Sequence, residues 1–268
     1  MIGFNALGQL GQLGNQMFQF ASLKGIASKN GYNYCFPIHG NVTTDSLGNK
    51  LRIDIQNPFI LEGVHPLNVQ LIDQDRPTVQ EGTYHFNEEL FNNCPDWVSL
   101  HGFFQSEKYF INIEDTIRSM FTFKPEILNP CKEMISTVEN PVSLHIRRGD
   151  YLTNHANHNN LGLDYYANGL DHFEGRNIII FSDDPNWCKE QALFKDDNRF
   201  LVSEGNSHYM DMCLMSLCKS HIIANSSFSW WGAWLSNSRD VVAPSTWFGP
   251  NNAHLDTKDL YCKGWTLI

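Results

Sequence analysis

Five short, almost wholly apolar runs in the second half of the chain constrain its fold more than any other feature. They lie at residues 142–146, 178–181, 200–202, 221–224 and 241–243. Stretches of helical pattern separate them, near 164–172, 186–194, 208–219 and 228–236. A strand that is apolar at nearly every position has both faces covered. Strands of that kind alternating with helices build a parallel sheet between two helical layers. The beginning of the chain repeats the theme. An extended run at 2–6 meets a loop punctuated by Gly8, Gly11 and Gly14. A helix follows with Asn15 as its expected cap and Gly31 at its end, and then an extended run at 32–36. Two α/β units with a cleft between them are expected.

The stretch 38–100 is rich in Pro, Asn and Asp and predicts loops, whereas 106–123 carries Phe110, Ile113, Ile117 and Met120 at helical spacing. Pro125, Pro130 and Pro141 surround a further expected helix at 131–138. The domain boundary is therefore placed there, giving an N-terminal unit 1–138 and a C-terminal unit 139–268.

Composition narrows the function. A formal net charge of −10 repels polyanions, which argues against nucleic acid as a partner and requires any anionic ligand to be gripped by a local basic cluster. The seven cysteines include no C-x-x-C pair, against a disulfide framework or a zinc site and in keeping with a reducing cytoplasm. No stretch has the leader or membrane-spanning pattern. A soluble cytoplasmic protein is expected, at most peripheral at the inner face of a membrane.

Three segments carry residues suited to chemistry. His145, Arg147, Arg148 and Asp150 lie at the carboxyl end of the apolar run at 142–146, and in open α/β sheets ligands bind at the carboxyl ends of strands. Paired arginines there can grip a phosphate through forked, charge-assisted hydrogen bonds, with Asp150 holding one guanidinium. A surface ion-pair cluster is the bland alternative. Asn225, Ser226, Ser227 and Phe228 follow another strand and open a helix, which suits either a phosphate site or ordinary helix capping. Trp230, Trp231 and Trp234 read as helix-to-sheet packing. The Gly-rich turn 11–16 lacks both the dinucleotide fingerprint and the P-loop pattern. Asp183 and Asp184 end a third strand and read as orienting groups for an arginine or a ligand hydroxyl rather than as metal ligands. Asp211 could accept from guanine's N–H donors, or be a solvated helix acid.

Together these segments resemble the α-1,2-fucosyltransferases, especially the compact bacterial type. The resemblance rests on 11–19 (GQLGNQMFQ), 103–109 (FFQSEKY), 145–151 (HIRRGDY), 181–184 (FSDD) and 224–235 (ANSSFSWWGAWL), in the family's order. It implies a GT-B-like fold of two Rossmann-type domains with parallel sheets facing a central cleft, GDP-fucose on the C-terminal domain and the acceptor on the N-terminal one. It also implies inversion at the anomeric carbon, with no metal and no other cofactor. By motif, Arg147 would hold the β-phosphate with Arg148 nearby, and His145 and Asp211 would read guanine. Ser226, Ser227 and Phe228 would line the diphosphate, and Asn15 would reach the diphosphate and the reacting sugar. His158, in the loop 154–160 that also holds His155, is the preferred base, although here the chain departs from the family's His-Gly pattern; a loop histidine that only hydrogen-bonds the acceptor, or has no role, is the alternative. The expected partners are a GDP-sugar donor and an oligosaccharide acceptor. Two alternatives stand beside this reading: a transferase of another GDP-sugar on the same scaffold, and a non-catalytic carbohydrate-binding protein.

Overall fold

The computed structural model describes residues 1–40, 42–45 and 48–268. The chain forms two compact units, one of Met1–Phe123 with Leu255–Cys262 and the other of Lys124–His254 with Lys263–Ile268.

The first unit holds a parallel four-stranded sheet in the order β2-β1-β6-β5, built from β1 (Ile2–Gly3), β2 (Tyr34–Cys35), β5 (Thr78–Gln80) and β6 (Ser99–His101). A separate antiparallel pair joins β3 (Thr43–Thr44) to β4 (Lys50–Leu51). Helix α1 (Leu13–Asn30) is buried on nearly every side, which is why its sequence shows little amphipathic contrast. It starts three residues earlier than expected. Gln12 occupies the cap position and makes no side-chain cap bond, so Asn15 is not the cap but a first-turn residue. Gly31 ends the helix at φ +70°, a left-handed conformation that an L side chain adopts only at a cost, and the Tyr32 N–H closes the turn on Ala27 O at 2.8 Å. After α2 (Glu88–Asn92), the expected helix at 106–123 resolves into two 3₁₀ turns and a short α3 (Glu114–Met120). Phe110, at φ −141°, breaks the run while remaining fully buried with Ile117 and Met120.

The second unit begins with α4 (Pro125–Ser136), so the dividing point falls at 123/124 rather than 138/139. Pro125 sits at the helix start, where its missing N–H costs nothing, and Pro130 is accommodated inside. The buried Cys131 reaches Met210 O at 3.6 Å, tying α4 to α7 (His208–Leu217). The sheet comprises β7 (Val142–Ile146), β8 (Ile178–Ser182), β9 (Phe200–Val202), β10 (Ser220–Ile222), β11 (Val241–Ala243) and β12 (Thr266–Leu267). All pairings are parallel, and the order is β12-β11-β10-β7-β8-β9. Numbered within the unit, that is 3-2-1-4-5-6 read from β9, the doubly wound Rossmann order, whose direction reverses between β7 and β10. Val142, Leu144, Ile146, Ile178, Ile180 and Ile222 form one core with Tyr165 and Tyr166 of α5 (Leu163–Leu170) and with Cys188 of α6 (Pro185–Glu190). On the other side of β7, Ser143 hydrogen-bonds the buried His221 at 2.7 Å. Helix α8 (Ser227–Leu235) packs Trp230, Trp231 and Trp234 inward, as expected.

Candidate functional site

The reversal of strand order determines where the site lies. β7 and β10 pair directly, with Ile222 opposite Leu144, so the segments leaving their carboxyl ends emerge side by side. One is 147–152 and the other runs through Asn225 into α8. The His145 ring lies 5.6 Å from the Phe228 ring, bringing the two motifs into contact.

Arg147 is held by two carboxylates: Nη2 to Asp150 at 2.5 Å and Nη1 to Asp183 at 2.8 Å. Burial opposes its charge, but the facing carboxylates outweigh that effect and raise its pKa, so it stays a cation. Arg148 pairs through Nε with Asp184 at 3.1 Å, lies 3.8 Å from the centre of the Trp187 ring, and donates its backbone N–H to Asp183 at 2.9 Å. The acidic pair at the end of β8 thus does what its position predicted and orients both arginines. Two guanidiniums meet three carboxylates here, however, so the cluster is not the net-positive patch that the sequence led us to expect. Its value to an anion lies in fixed, directed N–H donors rather than in excess charge.

Gly149 makes this packing possible, because a Cβ there would lie 2.5 Å from Asp183 Oδ2, the atom that anchors Arg147. Gly149→Ala is expected to displace that carboxylate and lower turnover by about ten- to a hundredfold, as small misplacements of reacting groups do. Thermal unfolding should change little. Wild-type kinetics in this variant would show that Arg147 does not depend on Asp183.

His145 is 6% exposed, and its Nδ1 is buried with no hydrogen-bond partner. Burial, with a smaller push from Arg147, lowers its pKa to about 3, so the ring is neutral. Ser226 caps α8, its Oγ accepting from the Phe228 N–H at 3.3 Å, and Ser227 opens the first turn. Asn225 is 2% exposed and donates through Nδ2 to Asn159 O at 2.7 Å and Trp247 O at 2.8 Å. Its amide therefore braces the loops around the site. Asp211, on α7, accepts from Ser203 Oγ at 2.6 Å, and burial raises its pKa. It is a partly buried, bonded carboxylate rather than a solvated one.

His158 lies with its ring stacked on Tyr151, 4.4 Å between centroids and 9° between planes. Burial lowers its pKa; Asp150 counters this and Arg147 adds to it, so both charged groups act on the imidazole. Trp187 was not marked by sequence, and Tyr151 entered only as the last residue of the motif 145–151, with no role of its own. The only signal was an aromatic residue next to each charged motif.

Asn15 belongs to the first unit, where its Oδ1 accepts from Gln105 Nε2 at 2.7 Å and Gln105 in turn accepts from Tyr84 OH. That unit also buries Glu81, whose Oε2 accepts from the N–H groups of Phe103 and Phe104 at 2.9 and 3.0 Å. Burial outweighs those bonds and lifts its pKa to about 7. Nothing in its sequence context marks it. Among the described residues no three His, Cys, Asp or Glu side chains are grouped to hold a metal ion, and no helix is long and apolar enough to cross a membrane.

A doubly wound parallel sheet with orienting carboxylates, arginines and a capped helix at its switch point defines the second unit as a Rossmann-type ligand-binding domain. The chain belongs to glycosyl transferase family 11, whose profile matches residues 2–268. It is 35% identical over 292 aligned residues to the alpha-1,2-colitosyltransferase of Escherichia coli, covering 96% of each chain. It is 40% identical over 189 residues to the O-antigen biosynthesis glycosyltransferase WbnK of Escherichia coli, covering 63% of this chain and 62% of that one. A bovine galactoside alpha-(1,2)-fucosyltransferase 1 is 25% identical over 59% of this chain and 49% of its own. Two solved structures share the fold at low identity. POFUT1 in complex with GDP-fucose superposes with a TM-score of 0.52 at 11% identity, over 88% of this chain and 94% of that one. The fucosyltransferase NodZ from Bradyrhizobium gives 0.51 at 13%, over 83% and 89%. The architecture is GT-B-like, as expected.

Proposed function

We propose that this glycosyltransferase transfers L-fucose from GDP-fucose to a hydroxyl of a glycan, with inversion, forming an α-1,2 linkage. The observation that carries the reading is the emergence of the arginine motif and the serine-capped helix from adjacent strands at the switch point. Two relatives named for α-1,2 transfer, one of them a fucosyltransferase, and a similar fold bound to GDP-fucose support it.

In this reading the helix tip at Ser226–Phe228 and the N–H groups of Arg147 and Arg148 take the diphosphate. His145, whose Nδ1 has no partner in the protein, and Asp211 take the guanine. The acceptor oxygen attacks the anomeric carbon from the face opposite the phosphate. The carbon–oxygen bond to the β-phosphate breaks and its electron pair leaves with GDP, while the hydroxyl proton passes to the His158 imidazole. Arg147 meets charge that grows as GDP departs, so it favours the transition state over the ground state. Asn15, held by Gln105, is a further candidate ligand group on the first unit. The reaction in this form needs no divalent cation. We place the enzyme in the cytoplasm, where its seven free thiols are suited to a reducing medium.

The extended similarity to a colitosyltransferase favours a second reading in which the donor sugar is colitose, which is fucose without its 3-hydroxyl. Incubation with GDP-fucose, GDP-colitose and GDP-mannose, each with a galactoside acceptor and excess EDTA, separates the readings. GDP release coupled to an α-1,2 product is expected with GDP-fucose. Product from GDP-colitose alone would move the assignment to the second reading, and strict dependence on added Mg²⁺ or Mn²⁺ would overturn the metal-free scheme. Glycan binding with no GDP release from any donor would return the chain to the class of carbohydrate-binding proteins.

A further inference from the structure

The aromatic ring at position 151 touches both ends of the proposed reaction. Tyr151 sits in the 3₁₀ turn Gly149–Leu152 that leaves β7. The Arg147 guanidinium carbon lies 5.4 Å from the centre of its ring, and the His158 imidazole stacks on it at 4.4 Å, nearly parallel. Its hydroxyl donates to Asn225 O at 3.0 Å, on the segment that leads into α8. Asn225 in turn holds Asn159, next to His158, through its side-chain amide. One phenol therefore joins the segments leaving β7 and β10 and the loop that carries the imidazole.

We propose that Tyr151 is a positioning residue, whose ring sets the geometry between the arginine that receives the departing phosphate and the histidine that takes the acceptor's proton. This rests on the function proposed above. The physical reason is that transfer needs both groups in place at once. The backbone contacts of His158, its N–H to Asn154 O and its bridge to Phe248, fix the chain but not the ring, so without a stacking partner the imidazole would sample many orientations. A flat ring offers a stacking surface that restricts the imidazole without consuming either of its nitrogens. The same ring covers His158 from water, and burial is the main cause of its lowered pKa. The charged groups acting on the imidazole are Asp150 and Arg147, and the segment 247–249 bridged to it through Phe248 adds no titratable side chain.

The test compares Tyr151→Phe and Tyr151→Leu with wild type in donor KM, kcat, the pH profile of kcat/KM, GDP affinity by calorimetry, and thermal unfolding. Tyr151→Phe keeps the ring and loses one hydrogen bond, so turnover should stay within about fivefold of wild type. Tyr151→Leu should lose about ten- to a hundredfold in kcat, with a smaller change in donor KM. Its acidic limb should move to higher pH, because an uncovered imidazole returns toward its ordinary value and is protonated, and so inactive as a base, at higher pH than before. A folded Tyr151→Leu with the wild-type pH limb, or a Tyr151→Phe as damaged as Tyr151→Leu, would overturn the proposal. Should the leucine variant not fold, a damaged phenylalanine variant alone suffices to overturn it. Failure of the underlying reading looks different. Wild-type protein that binds no GDP removes the donor site, and a fully active His158→Gln removes the base, whatever the Tyr151 variants do.

Discussion

Replacing Arg147 with alanine should lower kcat/KM for transfer a few hundredfold while the protein stays folded. The size follows from the guanidinium's place. It is fixed by Asp150 and Asp183 before any ligand arrives, so it need not reorganise as charge develops on the departing diphosphate. Loss of one such preorganised donor typically costs about 3–4 kcal/mol of transition-state stabilisation. The variant also leaves Asp150 and Asp183 without their shared cation. Their side chains are 16% and 26% exposed, so water relieves part of that repulsion and the penalty to stability stays below that of a fully buried pair. Arg147→Lys separates the two effects. It restores a charge beside the carboxylates but not the fork that can bind them and a phosphate together, so stability should recover and turnover should not. Wild-type turnover in Arg147→Ala would take this residue out of the reaction, and recovery of turnover by lysine would show that charge alone matters.

The central strands β7, β8 and β11 of the second unit could be read from sequence because they are covered on both faces and so carry apolar residues at most positions. The core strands β7, β8, β10 and β11 fall within a residue or two of expectation. β5, β6 and β12 escaped because Thr78–Gln80, Ser99–His101 and Thr266–Leu267 are too short and polar to show a period. The run 106–123 misled for the opposite reason. Its apolar spacing is real, but tight 3₁₀ turns and a short helix bury the same side chains as one long helix would. At the site, sequence neighbours such as His145 to Asp150 were legible as a group. Asp183 and Asp184 were legible because strand ends in a parallel sheet share one edge. The stacking of Tyr151 on His158, the indole of Trp187 under Arg148 and the anchoring of Asn15 by Gln105 join residues by packing alone, and no local pattern announces them.

Replacing Trp230 with alanine should produce the largest loss of stability among the substitutions considered. This indole is fully buried at the centre of an aromatic cluster, with Trp231 at 5.0 Å, Trp265 at 5.7 Å and Trp234 at 6.3 Å between centroids. Removing it deletes the transfer free energy of a large side chain and leaves a cavity that the neighbouring rings, constrained by α8 and the sheet, fill only in part. Such substitutions cost about 3–5 kcal/mol. For a chain of this size that corresponds to a fall in Tm of roughly 10 °C. The effect reaches function because Trp230 is on the first turns of α8, whose capped tip Ser226–Phe228 faces His145. A helix that rocks on a hollowed core presents that tip less often in one place, so at temperatures where the variant is folded the donor KM should rise more than kcat falls. Trp230→Phe keeps an aromatic plane in the cluster and should recover most of the stability and nearly all of the donor affinity. A Tm within about 2 °C of wild type for the alanine variant would mean that the cluster repacks freely. The helix tip would then owe its position to the Ser226 cap and the contact with His145 rather than to the tryptophans beneath it.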